Sequence, residues 1–132
     1  MATIRKFEDL DIWQLARQLS KEIKLLTDTE IFSKEFKLKD QMKRSSGSIM
    51  DNIAEGFDRD SRLEFVNFLS IAKGSCGELK SQLYRCLDYK LTKEENFNLL
   101  YKQTEEISAK IAGFIIYLNK SLIKGNKFKD RT

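Results

Sequence analysis

Apolar residues return at alternating steps of four and three along four separate stretches of the chain. Helices packed side by side are what bury such stripes. In the first stretch, about 10–27, Ile12, Ala16, Leu19, Ile23 and Leu26 share one face. Asp9 or Asp11 offers the carboxylate expected at its N-cap, and Trp13 widens the stripe as a core or interface aromatic. In the second, about 34–55, Leu38, Met42, Ser45, Ile49, Asn52 and Gly56 keep the spacing with two polar members. Gly56 is expected to end that helix in a left-handed conformation. The third, about 62–90, opens with a Ser61–Glu64 capping box and carries Phe65, Leu69, Ala72, Cys76, Leu79, Leu83 and Cys86. The fourth, about 92–123, opens with a second box, Thr92–Glu95, and carries Leu100, Thr104, Ile107, Ile111, Phe114 and Leu118. Gly125 and Asn126 are placed to stop it.

No stretch alternates with period two, so no sheet is expected. The links, about 28–33, 57–61 and 91, are short, and short links between long helices force antiparallel neighbours. The expected fold is therefore all-α: an antiparallel up-down-up-down four-helix bundle over 1–123, followed by a basic tail over 124–132. The last link is short enough for two helices to run on with a kink, but the fresh capping box at Thr92 argues for a break. A length of 132 residues suits one domain. No apolar run approaches the length that spans a bilayer, and the first residues lack the apolar stretch of a secretory signal. Cys76 and Cys86 lie ten residues apart on one helix, roughly 15 Å and too far to bridge. Both are read as reduced, buried thiols of a cytoplasmic protein.

Histidine is absent. That removes the Ser-His-Asp triad, other imidazole chemistry, and nearly all common zinc and di-iron sites. With partners across the second turn assumed to sum to about 118, Glu78 is level with about Asp40. That is roughly 20 Å along the axis from Glu55, so the two carboxylates do not share an ion within a chain. A Mg²⁺-dependent all-α nucleotide hydrolase needs several carboxylates facing one cleft. Here Glu94-Glu95 and Glu105-Glu106 are adjacent pairs that point to different faces. No catalytic, cofactor-binding or metal-ligating residue is expected, and no small-molecule substrate.

The formal charge is +4, from 24 basic and 20 acidic residues. All of the excess lies in 120–132, with Lys120, Lys124, Lys127, Lys129 and Arg131 against Asp130. Such a tail either solubilises a frayed terminus or touches phosphates. A second basic cluster holds Lys34, Lys37, Lys39, Lys43 and Arg44, diluted by Glu35 and Asp40. Expected RNA contacts are Lys34, Lys37, Lys43, Arg44, Arg59, Lys124, Lys127, Lys129 and Arg131. Salt-sensitive binding is expected of them. No RNA-recognition motif is present.

A plain bundle would not choose Ser45-Ser46-Gly47-Ser48 in its second helix, or Gly74-Ser75-Cys76-Gly77 in its third. Each interior glycine costs about 0.8–1 kcal/mol relative to alanine. Three readings are open: close approach of the two helices within the chain, docking of a helix from another subunit, or a ligand notch. Asn52, Glu55, Ser75 and Glu78 fit interhelical or intersubunit hydrogen bonding that fixes register. The candidate contact set is Ser45, Asn52, Glu55, Gly56, Gly74, Ser75 and Glu78.

The run Phe7-x-x-Leu10-x-Ile12-Trp13-Gln14-x-Ala16 opens a longer pattern. It continues with Leu38-x-x-Gln41-x-x-Arg44, then Asn52-Ile53-Ala54-Glu55-Gly56 with Arg59. It closes with Phe68-Leu69-x-Ile71-Ala72-x-Gly74-Ser75-x-x-Glu78-Leu79. On these residues the chain, over about 7–122, resembles the four-helix-bundle proteins encoded in intervening sequences of bacterial 23S ribosomal RNA genes, also called S23 ribosomal proteins. Phe32-Ser33 replaces a Phe-Pro common before the second helix, and Phe36 replaces a tyrosine. The resemblance implies a bundle that assembles into a ring-like homopentamer, and it implies no activity. The combined expectation is a non-enzymatic homo-oligomeric scaffold that contacts RNA through basic surface. The alternatives are a protein-interaction module without nucleic acid and the Mg²⁺-dependent hydrolase.

Overall fold

A computed structural model describes the backbone of residues 4–123 and the side chains of 4–120. Four helices make up the fold: α1 (Asp11–Thr27), α2 (Phe36–Asp58), α3 (Arg62–Asp88) and α4 (Glu94–Ile123). Short 3₁₀ turns at Phe7–Asp9 and Glu30–Phe32 precede α1 and α2. There is no strand among the described residues. Each helix packs on the next, and α1 also packs on α4, closing a ring of four.

The direction of packing follows from individual contacts. Ser45 faces Glu78, and Ser48 faces Ser75, so α2 and α3 run antiparallel. Lys110 reaches Asp11 at 2.8 Å and Gln103 reaches Glu22 at 3.0 Å, so α1 and α4 do too. The apolar stripes read from the sequence form the core. Ala16, Ile23, Met42, Ile49, Leu69, Ala72, Cys76, Leu79, Leu83 and Ile111 are fully buried. Leu26, Asn52 and Phe114 are half-buried at its margins.

Helix ends depart from the sequence reading in several places. Asp9 does not cap α1; it accepts the N–H groups of Arg5 and Lys6 at 3.2 and 3.3 Å, and Leu10 occupies the N-cap. Ser61 caps α3 as expected, accepting from the Glu64 N–H at 3.3 Å. The reciprocal arm is missing, because the Glu64 carboxylate faces Arg59 at 3.5 Å instead. The Thr92–Glu95 box does not form. The Thr92 hydroxyl donates to the Lys93 carbonyl, and the first helical bond of α4 runs from the Phe97 N–H to that residue.

Gly56 does not end α2. The helix continues to Asp58, and the left-handed residue in the turn is Asp60, with φ 55°. The second left-handed residue is Lys90, with φ 60°. There the Lys90 N–H donates to Leu87 and the Leu91 N–H to Cys86, at 3.1 and 2.8 Å. This is a Schellman stop made with lysine in a place usually held by glycine. It separates α3 from α4 and excludes the continuous kinked helix.

The longer α2 also shifts the register. Facing residues of α2 and α3 have numbers summing to 123, not 118. The α1–α2 link is pinned by Asp28, whose carboxylate takes Lys24 Nζ at 2.6 Å and Lys39 Nζ at 3.1 Å. Hydrogen bonds from Lys24 and then Lys39 hold this carboxyl at about 2, well below its ordinary value. A carboxyl lowered on folding contributes stability above its unfolded value near 4, and that contribution is lost as pH falls toward 2. Asp28→Asn is therefore expected to lower the melting temperature at neutral pH. It should also flatten the acid limb between about pH 4 and 2, as read by melts along a pH series.

Candidate functional site: the polar face between α2 and α3

Polar residues repeat at the same spacing along both helices: Gln41, Ser45, Ser48 and Asn52 within and beside the α2 seam, and Ser75, Glu78, Gln82 and Arg85 one position before the α3 seam. The antiparallel register brings the two rows together as a ladder. Arg85 Nη1 donates to Gln41 Oε1 at 3.2 Å. Ser45 Oγ lies 3.1 Å from Glu78 Oε1 and 3.0 Å from the Gln41 carbonyl, with one proton between them. Ser48 and Ser75 share a hydroxyl–hydroxyl bond of 2.8 Å. Asn52 Nδ2 donates to the Ser48 carbonyl and hydroxyl at 2.8 and 2.9 Å.

The ladder floors an open groove of about 760 Å³, whose walls include Arg44, Ser81 and Gln82. Gln82 is 5% exposed, and its Oε1 has no hydrogen-bond partner. A buried carbonyl without a donor costs about 1–3 kcal/mol. Neither Glu78 nor Arg85 has an ion-pair partner among the described residues.

The expected contact residues divide. Ser45, Ser75 and Glu78 meet across α2 and α3, while Asn52 binds within its own helix. Glu55 is not in the ladder. It pairs with Arg59 at 2.9 Å, and Arg59 bridges on to Glu64 and lies over the Phe68 ring. Gly56 is buried against α3: a Cβ there would lie 2.6 Å from Phe68 Cβ. It is the glycine that lets α2 and α3 approach. Gly47, Gly74 and Gly77 do not serve that purpose, since a Cβ at any of them meets nothing within 4 Å. Close approach within the chain is thus overturned as the reason for these three. Gln41, Ser48, Ser81, Gln82 and Arg85 were outside the expected set. For Gln41, Ser48, Gln82 and Arg85 the signal was a polar residue one position before a seam residue; Ser81 carried none.

The α2 basic residues are largely compensated. Lys43 faces Asp28 at 3.9 Å, Arg44 pairs with Asp40 at 2.7 Å, and Arg59 with Glu55. Lys34 and Lys37 are exposed and unpaired among the described residues. Arg59 is at the other end of α2, roughly 30 Å away. Lys124, Lys127, Lys129 and Arg131 lie outside the described residues.

Among the described residues no three acids or thiols converge as ion ligands. Glu78 sits level with Ser45 rather than Asp40, still about 15 Å along the axis from Glu55. Burial pushes the Cys76 thiol up to about 11 and the Cys86 thiol up to about 12. Cys86 Sγ donates to Met42 Sδ at 3.3 Å. Such thiols pack as small hydrophobes and are poor nucleophiles.

The sequence matches the 23S rRNA-intervening sequence protein family over residues 8–113. The chain belongs to that family. The match takes in the ladder and the turn at Arg59, and it ends within α4. A solved structure, a protein of unknown function from the S23 ribosomal protein family of Bacteroides thetaiotaomicron VPI-5482, shares the fold with a TM-score of 0.73 at 24% identity. The alignment covers 79% of this chain and 97% of that one. No curated protein matches the sequence. Among the described residues of this family member, no helix is long and apolar enough to cross a membrane.

Proposed function

We propose that the protein is a non-enzymatic homo-oligomeric scaffold, a homopentamer by its family resemblance, that contacts RNA through basic surface. One observation carries the assembly: α2 and α3 hold three helical glycines that no contact among the described residues requires. In an isolated subunit each costs about 1 kcal/mol relative to alanine. The groove between α2 and α3 carries the orphaned Gln82 carbonyl and the ionically unpartnered Glu78 and Arg85. A neighbouring subunit's helix seated in this groove, over Ser45, Ser48 and Ser81, would supply the missing donor and counter-charges, and further contacts between subunits would give the open glycines a role.

Light scattering on the full chain tests this. The expected species is five times the 15.4 kDa subunit. Gly74→Leu with Gly77→Leu is expected to release folded monomers, because both positions are exposed and open within the subunit. A wild-type monomer at micromolar concentration, or an assembly indifferent to both leucines, would overturn the reading. An interaction module without nucleic acid would show the same assembly and no RNA binding.

A further inference from the structure

Of the basic residues expected to touch RNA on α2, Lys43, Arg44 and Arg59 already face carboxylates, which leaves Lys37 there and Lys34 before the helix. We infer that a groove between α3 and α4 is a binding site for single-stranded nucleic acid, with Lys73, Lys80 and Lys102 holding phosphates and Tyr84 stacking on a base. This deepens the RNA reading above and rests on it.

The groove encloses about 520 Å³ and is floored by Ser108, Ala109 and Ala112. Small floor residues leave the lysines as its walls. Lys73 and Lys80 stand two turns apart on α3, about 10 Å along the axis, and Lys102 stands on α4. None of the three makes an ion pair among the described residues, unlike Lys39, Lys43, Arg44 and Arg59. Two acids also line the groove, Glu105 and Glu106. Glu106 faces Lys110 only at 3.9 Å, and Lys110 is bound to Asp11 at 2.8 Å, so the lining holds three cations against two carboxylates, a surplus of one positive charge.

An aromatic cluster adjoins these cations. Lys80 Nζ lies 5.4 Å from the Tyr101 ring centre. Tyr101 contacts Tyr84 and Phe97, with centroids 5.4 Å apart in each pair. Tyr84 is 48% exposed, held by Phe97 at 5.0 Å and by Tyr101 at 5.4 Å. A half-exposed ring held by aromatic neighbours, beside lysines that make no ion pair among the described residues, is what an unpaired base and its phosphates require. An acidic peptide would use the lysines and leave the ring idle. A duplex presents no free base to it.

Anisotropy of a labelled oligouridylate with the full chain, along a salt series, tests the assignment. The triple Lys73→Gln, Lys80→Gln, Lys102→Gln is expected to weaken binding at least about tenfold and to lower the salt slope by about 2. Tyr84→Ala should weaken it about tenfold and Tyr84→Phe little, because stacking needs only the ring. Helicity measured alongside separates these losses from unfolding. No binding by the wild type at low salt overturns the RNA reading and this site together. Wild-type binding that survives the α3–α4 triple but falls with Lys34→Gln and Lys37→Gln, or on removal of 124–132, overturns this site alone. So does competition by polyglutamate or by a duplex as strong as that of the single strand.

Discussion

Replacing Gly56 by alanine is expected to destabilise the subunit by about 2 kcal/mol, although alanine is the better helix former. The ideal Cβ would lie 2.6 Å from Phe68 Cβ, 3.0 Å from Phe65 Cδ1 and 3.4 Å from Phe68 Cγ. Phe68 Cβ is fixed to the α3 backbone and cannot swing aside, so the two helices must separate. Separation loosens the core on both sides of the seam, where interiors pack at crystal-like density. The same change at Gly74 or Gly77 has the opposite sign in an isolated subunit, a gain of up to about 1 kcal/mol each, since the added methyl meets open space. Urea melts of the three variants read this contrast directly. A neutral or stabilising Gly56→Ala would show that the α2–α3 spacing is set elsewhere.

Phe65→Ala is expected to have the larger effect, about 3–5 kcal/mol. The ring is 2% exposed and joins three helices. It meets Phe57 of α2 edge-on at 5.8 Å and Phe114 of α4 edge-on at 5.3 Å. Truncation removes both aromatic pairs and leaves a cavity that the long, mutually pinned helices do not close. Phe36→Ala, at a site 68% exposed, is the matched control and should be near neutral. The Phe65 and Gly56 changes should also couple. Removing the Phe65 ring relieves the 3.0 Å contact but not the tighter one with Phe68. The double variant should then cost less than the sum by about 0.5 kcal/mol or more. Chemical melts of the four-membered cycle measure it. A Phe65→Ala loss near 1 kcal/mol would mean the junction collapses around the gap.

Much of the helical content was legible because burial imposes a period on the sequence. Ile12 to Ile23, Phe65 to Cys86 and Leu100 to Leu118 repeat as they do because each must return to one face. The helix ends were less legible, because caps depend on competing partners. Asp9 had backbone N–H groups nearer than those of α1, and Glu64 had Arg59 to answer. Gly56 looked like a stop by residue type, yet its missing side chain serves the approach of Phe68. The polar ladder was half legible. Ser45 stood out as a polar member of the α2 seam, and Ser75 and Glu78 as an i, i+3 polar pair beside the α3 seam, while what Gln82 and Arg85 face was decided only by α2 lying beside them.

By itself the sequence determined four amphipathic helices, short links and an antiparallel order, because the spacing of apolar residues and the length of a link are properties of the chain alone. Only the tertiary structure decided which glycine is a contact and which are open, which cations are already paired, and where lysines with no ion pair among the described residues adjoin a half-exposed ring. Those are relations between side chains far apart in sequence. A shift of five in the sum of facing residues on α2 and α3 is enough to move Glu78 from the level of Asp40 to that of Ser45.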